Sequence, residues 1–153
     1  MRAVIQRVSA ACVRVDGELT GSAGRGLLVL LGVMEGDTEK EAELLAAKTA
    51  KLRIFTDEND KMNLSVLDIG GDILCVSQFT LCADVKKGNR PSFTPSAAPE
   101  RAKALYEYYM DCLKAEGVKN VSHGIFGADM KVELLNDGPV TIISDTDIWT
   151  KKY

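Results

Sequence analysis

The chain has 153 residues, 46% of them hydrophobic, 27% charged, and a net charge of −3. This length suits a single domain spanning 1–153 with a continuous core, and the acidic balance excludes a broadly basic nucleic-acid-binding surface, so that any RNA contact has to be local. The longest apolar stretch, Leu27 to Met34, is broken by Gly32 and too short to span a bilayer, and the arginines at positions 2 and 7 leave no apolar signal core, so the expectation is a soluble cytoplasmic protein with no membrane partner.

From Arg2 to Arg14 apolar residues partly alternate, with a slip in phase near Ser9-Ala10-Ala11, which predicts a long strand that bends or bulges. Asp16-Gly17 supplies a turn into a short partner strand, Glu18 to Gly21. Gly26 to Met34 is continuously apolar and reads as a central strand covered on both faces. A first helix starts near Asp37 or Thr38, where Thr38-x-x-Glu41 matches a capping box, and runs to about Arg53. Ala42, Leu45, Thr49 and Leu52 share one side of it, with Ala46 beside them.

After the Gly70-Gly71 break, Asp72 to Val76 is a short run of strand formers. A second helix extends from about Pro99 to Glu116, with Gly117 as its stop. Its buried face is Ala102, Leu105, Tyr109, Cys112 and Leu113. Val118 to Ser122, Ala128 to Leu135 and Val140 to Ser144 complete the strands. The fold class is therefore α+β: a mainly antiparallel, barrel-like sheet packed with two helices.

The chemistry-bearing residue types are sparse. Cys12, Cys75, Cys82 and Cys112 form no Cys-x-x-Cys pair and indicate neither a disulfide framework nor a zinc site. His123, the only histidine, reads as a strand-end or surface residue, and any triad has to use it. No dinucleotide fingerprint, Walker loop or repeat is present.

Two segments stand out against this background. Ser77-Gln78-Phe79-Thr80-Leu81 carries polar residues to the point where a core strand ends. Asn136-Asp137-Gly138-Pro139-Val140-Thr141 interrupts strand-like sequence with Gly-Pro, which removes a side chain and a ladder donor; taken alone it reads as a hairpin turn. Lys86, Lys87 and Arg90, beside Gly88-Asn89, form the best local basic cluster, and by themselves describe a solvated loop.

Both segments, together with Lys86 to Phe93, Phe126-Gly127-Ala128-Asp129-Met130 and the opening Met1 to Val8, resemble the D-aminoacyl-tRNA deacylase family, and the resemblance runs to the final strand without a large gap. It implies a barrel-like, obligately homodimeric enzyme that hydrolyses the ester of D-aminoacyl-tRNA and rejects the L form, with glycyl-tRNA mischarged on tRNA(Ala) as a side substrate. It implies no metal and no cofactor. The catalytic segment it implies is Ser77, Gln78, Phe79 and Thr80, and the substrate-binding set is Gly138, Pro139, Phe126, Met130 and Ala102. A cis Gly138-Pro139 acts from the partner subunit, Arg7 either braces that loop or makes a structural salt bridge, and the local basic cluster Lys86, Lys87 and Arg90 is where tRNA contact is expected.

An aminoacyl ester is already activated, so its hydrolysis mainly needs a positioned water and oxyanion support, for which main-chain N–H groups at Phe79-Thr80 suffice. Thr80 has no histidine nearby in sequence to activate it, which favours a lining role over a nucleophilic one. The competing readings are an L-alanyl-tRNA-editing sister deacylase on the same fold, a non-catalytic nucleic-acid-binding homodimer, and a general esterase using Thr80 or a cysteine.

Overall fold

In the computed structural model, which describes residues 1–149, the first three strands form one long bent hairpin; residues 150–153, the end of the span assigned to the domain, lie outside the described residues. Strand β1 (Arg2–Val15) runs antiparallel to β2 (Glu18–Ala23) and β3 (Gly26–Gly32) in one register, from Arg2 opposite Gly32 through Val8 opposite Gly26 to Val13 opposite Gly21. Asp16 and Gly17 both take positive φ, 51° and 80°, the turn geometry that matches the twist of paired strands.

The other edge of β1 carries β8 (Lys131–Asp145), also antiparallel. Beyond β3 lie β6 (Asp72–Ser77) and β7 (Val121–His123), each parallel to its neighbour. The main sheet is thus mixed, with three antiparallel and two parallel pairings. The parallel pairs follow from two helical crossovers, since strands running the same way need a long return connection. A small hairpin, β4 (Phe55–Thr56) with β5 (Met62–Leu64), lies on the first of these connections. At Gly21 a Cβ would run into the His123 carbonyl, so β2 and β7 approach backbone to backbone and the sheet nearly closes into a barrel.

Helix α1 (Glu39–Lys51) carries the expected capping box: the Lys40 amide donates to Thr38 Oγ1 at 3.3 Å and the Thr38 amide to Glu41 Oε2 at 2.7 Å. It ends short of Arg53, whose Nε donates to the Asn63 carbonyl at 3.0 Å. Helix α2 (Pro99–Ala115) packs beside it. Tyr109, fully buried, donates to Thr49 Oγ1 at 2.9 Å, and Tyr106 donates to the Cys75 carbonyl at 2.8 Å. Cys112 is only half-buried, and Tyr106 and Met110 complete the inner face instead.

The main core lies between sheet and helices, where Leu27, Val29, Leu31, Ile73 and Cys75 meet Leu45, Leu105, Tyr109 and Leu113. The opposite face packs Val8, Val13, Leu28, Leu74 and Val76 inside the barrel. Both faces of β3 are therefore covered, as its unbroken apolar run requires. β3 nevertheless stops at Gly32: Val33 and Met34 leave the ladder to hold Ser96 and Ala97, the Ala97 amide donating to the Val33 carbonyl at 3.0 Å.

A one-turn helix, α3 (Thr146–Trp149), follows β8 and is too short to show a sequence period. Thr146 meets the buried α-ammonium of Met1 at 2.8 Å, and Asp37 pairs with the same ammonium at 2.8 Å while accepting from the Met34 amide at 2.7 Å.

Candidate active site

The Gln78 amide makes the last ladder bond of β6, to the Leu31 carbonyl at 2.8 Å, and the chain then coils into a 3-10 turn over Phe79–Cys82. The first amides of such a turn have no partner within it. Those of Phe79 and Thr80 accordingly have no acceptor among the described residues. Arg2 fastens the turn from behind, donating from Nη1 to the Leu81 carbonyl at 2.6 Å while its Nε meets Asp145 at 3.1 Å.

Phe79, at the start of this turn, lines a cleft of about 650 Å³. One wall is the end of β6, Val76 to Phe79; a second is Ala97 to Pro99 with Ala102, at the start of α2; the third is Phe126 to Met130 with Val132. Phe93 closes the mouth, its ring edge-on to that of Phe79 at 5.0 Å. Ser77, Gln78, Phe79, Ala102, Phe126 and Met130 therefore share one cleft, although Phe79 and Phe126 lie far apart in sequence.

Thr80 is exposed and its side chain is not on the cleft wall. Its hydroxyl accepts from the Gln78 side-chain amide, and no base contacts it among the described residues. Among the described residues Asp129 is the one ionisable side chain lining the cleft, and it pairs with Lys131 at 3.1 Å. His123 ends β7, its Nδ1 2.6 Å from the Gly124 carbonyl oxygen, outside the cleft. Burial pushes the Cys75, Cys82 and Cys112 thiols upward, away from nucleophilic thiolate. Among the described residues no group of three or more His, Cys, Asp or Glu could hold a metal ion.

The Gly-Pro segment is not a hairpin turn. Both its flanks pair with β1 in the same direction, Asn136 opposite Val8 and Thr141 opposite Gln6, so Asp137 to Val140 stand out as a wide bulge facing Arg7. The slip in phase anticipated for β1 lies on this edge, whereas its register with β3 and β2 holds from Arg2 to Val13 and shifts only between Val13 and Arg14. Asn136 closes the neck of the bulge, its Nδ2 donating to the Arg7 carbonyl at 3.1 Å and the Val140 carbonyl at 3.2 Å.

Arg7 braces the bulge: Nε donates to the Asp137 carbonyl at 3.0 Å and Nη1 to the Ile54 carbonyl at 2.8 Å. The Gly138-Pro139 bond is cis, and Gly138 has φ +123°, where a Cβ would also lie 2.8 Å from Arg7 Nη2. Neither Gly138 nor Pro139 lines the cleft of its own chain.

Lys86, Lys87 and Arg90 also lie off the cleft, on an exposed loop pinched where Asp84 and Ser92 exchange backbone bonds of 2.7 and 3.0 Å. Phe93, at the foot of that loop, does line the cleft. Residue-type reasoning missed Phe93 and Ser96 to Pro99, because small residues before a helix read as a simple start; only the folded chain sets that start against the end of β6.

A family model described as D-Tyr-tRNA(Tyr) deacylase matches residues 4–145. A D-aminoacyl-tRNA deacylase of Koribacter versatilis is 60% identical over 146 residues, covering 95% of this chain and 97% of that protein. The protein of the same name from Ruegeria pomeroyi is 61% identical over 145 residues, with coverages of 95% and 99%. Among solved structures, one described as a c-Myc DNA unwinding element binding protein superposes with a TM-score of 0.89 at 45% identity, covering 95% of this chain and 98% of its own. Another, described as a probable eukaryotic D-amino acid tRNA deacylase, superposes with a TM-score of 0.79 at 21% identity over 94% of this chain and 97% of its own, a likeness of fold.

Proposed function

The chain belongs to the D-aminoacyl-tRNA deacylase family, and on that premise we propose how its geometry hydrolyses the ester of D-aminoacyl-tRNA while sparing the L form. The observation that carries the reading is the turn after β6, where the amides of Phe79 and Thr80 have no acceptor among the described residues and Phe79 lines a cleft with no histidine or cysteine in its wall.

The terminal adenosine and the amino acid occupy the cleft, with Phe126, Met130 and Ala102 against them. Water attacks the ester carbonyl carbon, and the developing oxyanion is held by the N–H groups of Phe79 and Thr80. The carbon–oxygen bond to the ribose then breaks. The adjoining 2′-hydroxyl passes its proton to the departing ribose oxygen and takes one back from the attacking water, whose second proton goes to solvent as the amino acid leaves as its carboxylate. Ser77 and Gln78 shape the wall, and Gln78 orients the Thr80 hydroxyl. The uncapped start of α2, with Ala98 at its N-cap, adds partial positive charge beside the developing oxyanion.

Selectivity needs a second copy of the chain. The bulge stands on β8, whose Leu135 and Ile143 are 63% and 72% exposed, a heavy apolar display for an open edge strand. A homodimer covers that face and carries Gly138 and Pro139 into the partner's cleft. Main-chain atoms close to the α-carbon exclude an L side chain by clash whatever its chemistry, so the filter is blind to amino-acid type. Glycine has no side chain to reject, and glycyl-tRNA is accordingly a side substrate. Lys86, Lys87 and Arg90 contribute local positive charge for the tRNA.

Hydrolysis of D-tyrosyl-tRNA and L-tyrosyl-tRNA, followed side by side at low enzyme concentration, tests this reading. Loss of the D ester alone is the expected result. Loss of neither moves the assignment to a nucleic-acid-binding homodimer, loss of both to a nonselective esterase, and selective loss of L-alanyl-tRNA to the sister editing activity.

A further inference from the structure

Both N–H groups assigned to the oxyanion flank a single α-carbon, that of Phe79: its own amide precedes it and that of Thr80 follows it. The turn is tied to the rest of the molecule on either side of that carbon but not at it. The Gln78 amide donates to the Leu31 carbonyl at 2.8 Å, Arg2 Nη1 donates to the Leu81 carbonyl at 2.6 Å, and Cys82 Sγ donates to the Val33 carbonyl at 3.4 Å. The contact between the Gln78 side chain and the Thr80 hydroxyl is internal to this stretch and anchors it to nothing else.

The Phe79 side chain supplies the missing tie. It is 56% exposed, so burial does little to fix it. Its one aromatic partner among the described residues is Phe93, with ring centres 5.0 Å apart and planes at 67°, the edge-to-face arrangement that ring quadrupoles favour. Phe93 stands on a segment anchored separately from the turn. The Ser96 amide donates to the Phe93 carbonyl at 3.0 Å, the Glu35 amide to the Pro95 carbonyl at 2.8 Å, and the Ala97 amide to the Val33 carbonyl at 3.0 Å. The Phe93 ring thus rests on the extension of β3, and both rings line the cleft.

We propose that Phe93 is a positioning residue for deacylation: its ring props that of Phe79 and thereby aims the two N–H groups beside the Phe79 α-carbon at the ester carbonyl. This role rests on the deacylase reading of the cleft. Because the prop acts on the oxyanion donors and not on the adenosine, its loss lowers kcat and leaves KM in place. Removing an oxyanion donor outright costs about 100- to 1,000-fold. One edge-to-face pair biases a conformation by only about tenfold at most, so donors that are misaimed for part of the time give a loss of that smaller size.

Steady-state kinetics on D-tyrosyl-tRNA with Phe93→Ala, Phe93→Tyr, Phe79→Ala and Phe79→Ala/Phe93→Ala test the role, with the melting temperature of each variant checked. Phe93→Ala is expected to lower kcat by about five- to tenfold with KM held within about twofold. Phe93→Tyr keeps the ring and should stay within about twofold of wild type, and Phe93→Ala should cause no further loss once Phe79 is alanine. Where the alanine variant fails to fold, Phe93→Leu, which keeps apolar bulk without a ring, carries the same expectation. A defect confined to KM, losses that multiply in the double variant, or the same defect in Phe93→Tyr would overturn the proposal. If the wild-type protein hydrolyses no D ester, the deacylase reading fails and the prop with it; if it is active and Phe93→Ala matches it, only the prop is wrong.

Discussion

At the scale of single residues, catalysis by main-chain groups is separated from nucleophilic alternatives by side-chain substitutions. Thr80→Ala keeps both amides of the turn and is expected to retain measurable turnover, with kcat reduced by at most about tenfold, the low end for a side chain that does no acid–base work. A nucleophilic Thr80 predicts complete loss instead, read in the same D-tyrosyl-tRNA assay. The thiols give a second test. Because burial pushes Cys75, Cys82 and Cys112 upward, treatment with iodoacetamide at neutral pH is expected to leave turnover unchanged, and progressive inactivation would revive a cysteine esterase. Thr80 also shows where residue-level reading stops. Its sequence neighbours mark it as exposed at a strand end, but only the fold shows that its hydroxyl is occupied by Gln78 and lies off the cleft wall.

At the scale of elements, the start of α1 is legible to the atom and has a measurable cost. Thr38→Ala removes the cap and is expected to destabilise the fold by about 1 kcal/mol in urea unfolding. The Glu41 carboxyl is held below the ordinary value of 4.5 chiefly by the Thr38 side chain, and Asp57 and Asp68 are held low by backbone amides of Lys61 and Ser65. Each favours the ionised form in the folded state. Their stabilisation is complete above the unfolded carboxylate range and is lost as pH falls through the lower folded values. Stability measured from pH 6 to pH 3 is therefore expected to decline, and Glu41→Gln should flatten part of that decline. The Gly-Pro element was not legible in the same way. Asn-Asp-Gly is strong turn chemistry, and a bulge differs from a hairpin only in what its flanks pair with; here β1 takes both flanks, a long-range pairing that local sequence does not encode.

At the scale of the whole molecule, the helices, the bent first strand and the buried central strand follow from period and punctuation, whereas the parallel pairs and the near-closure of the barrel depend on crossovers that no window of sequence contains. The six residues gathered round the cleft were recognisable because their segments match a family, and their convergence explains why sequence-distant segments matter together. The proposed dimer is the largest unit in the account and has its own test. Leu135→Glu/Ile143→Glu places charge on the exposed apolar edge of β8. Sedimentation is expected to show a folded monomer in place of a dimer, with deacylation lost together with assembly. A fully active monomer would separate the bulge from catalysis.

The most direct measurement of the central claim is the ratio of kcat/KM for D-tyrosyl-tRNA to that for L-tyrosyl-tRNA, in the wild-type protein and in Gly138→Ala, with the dimer mass and melting temperature of the variant checked in parallel. Gly138 sits at φ +123° against Arg7 and outside the cleft wall of its own chain, so an added Cβ strains the main chain of the bulge without itself entering that cleft. The wild-type ratio is expected to lie far above one and to fall by at least about tenfold in a dimeric, folded variant. An unchanged ratio in such a variant would contradict a main-chain filter carried by the bulge.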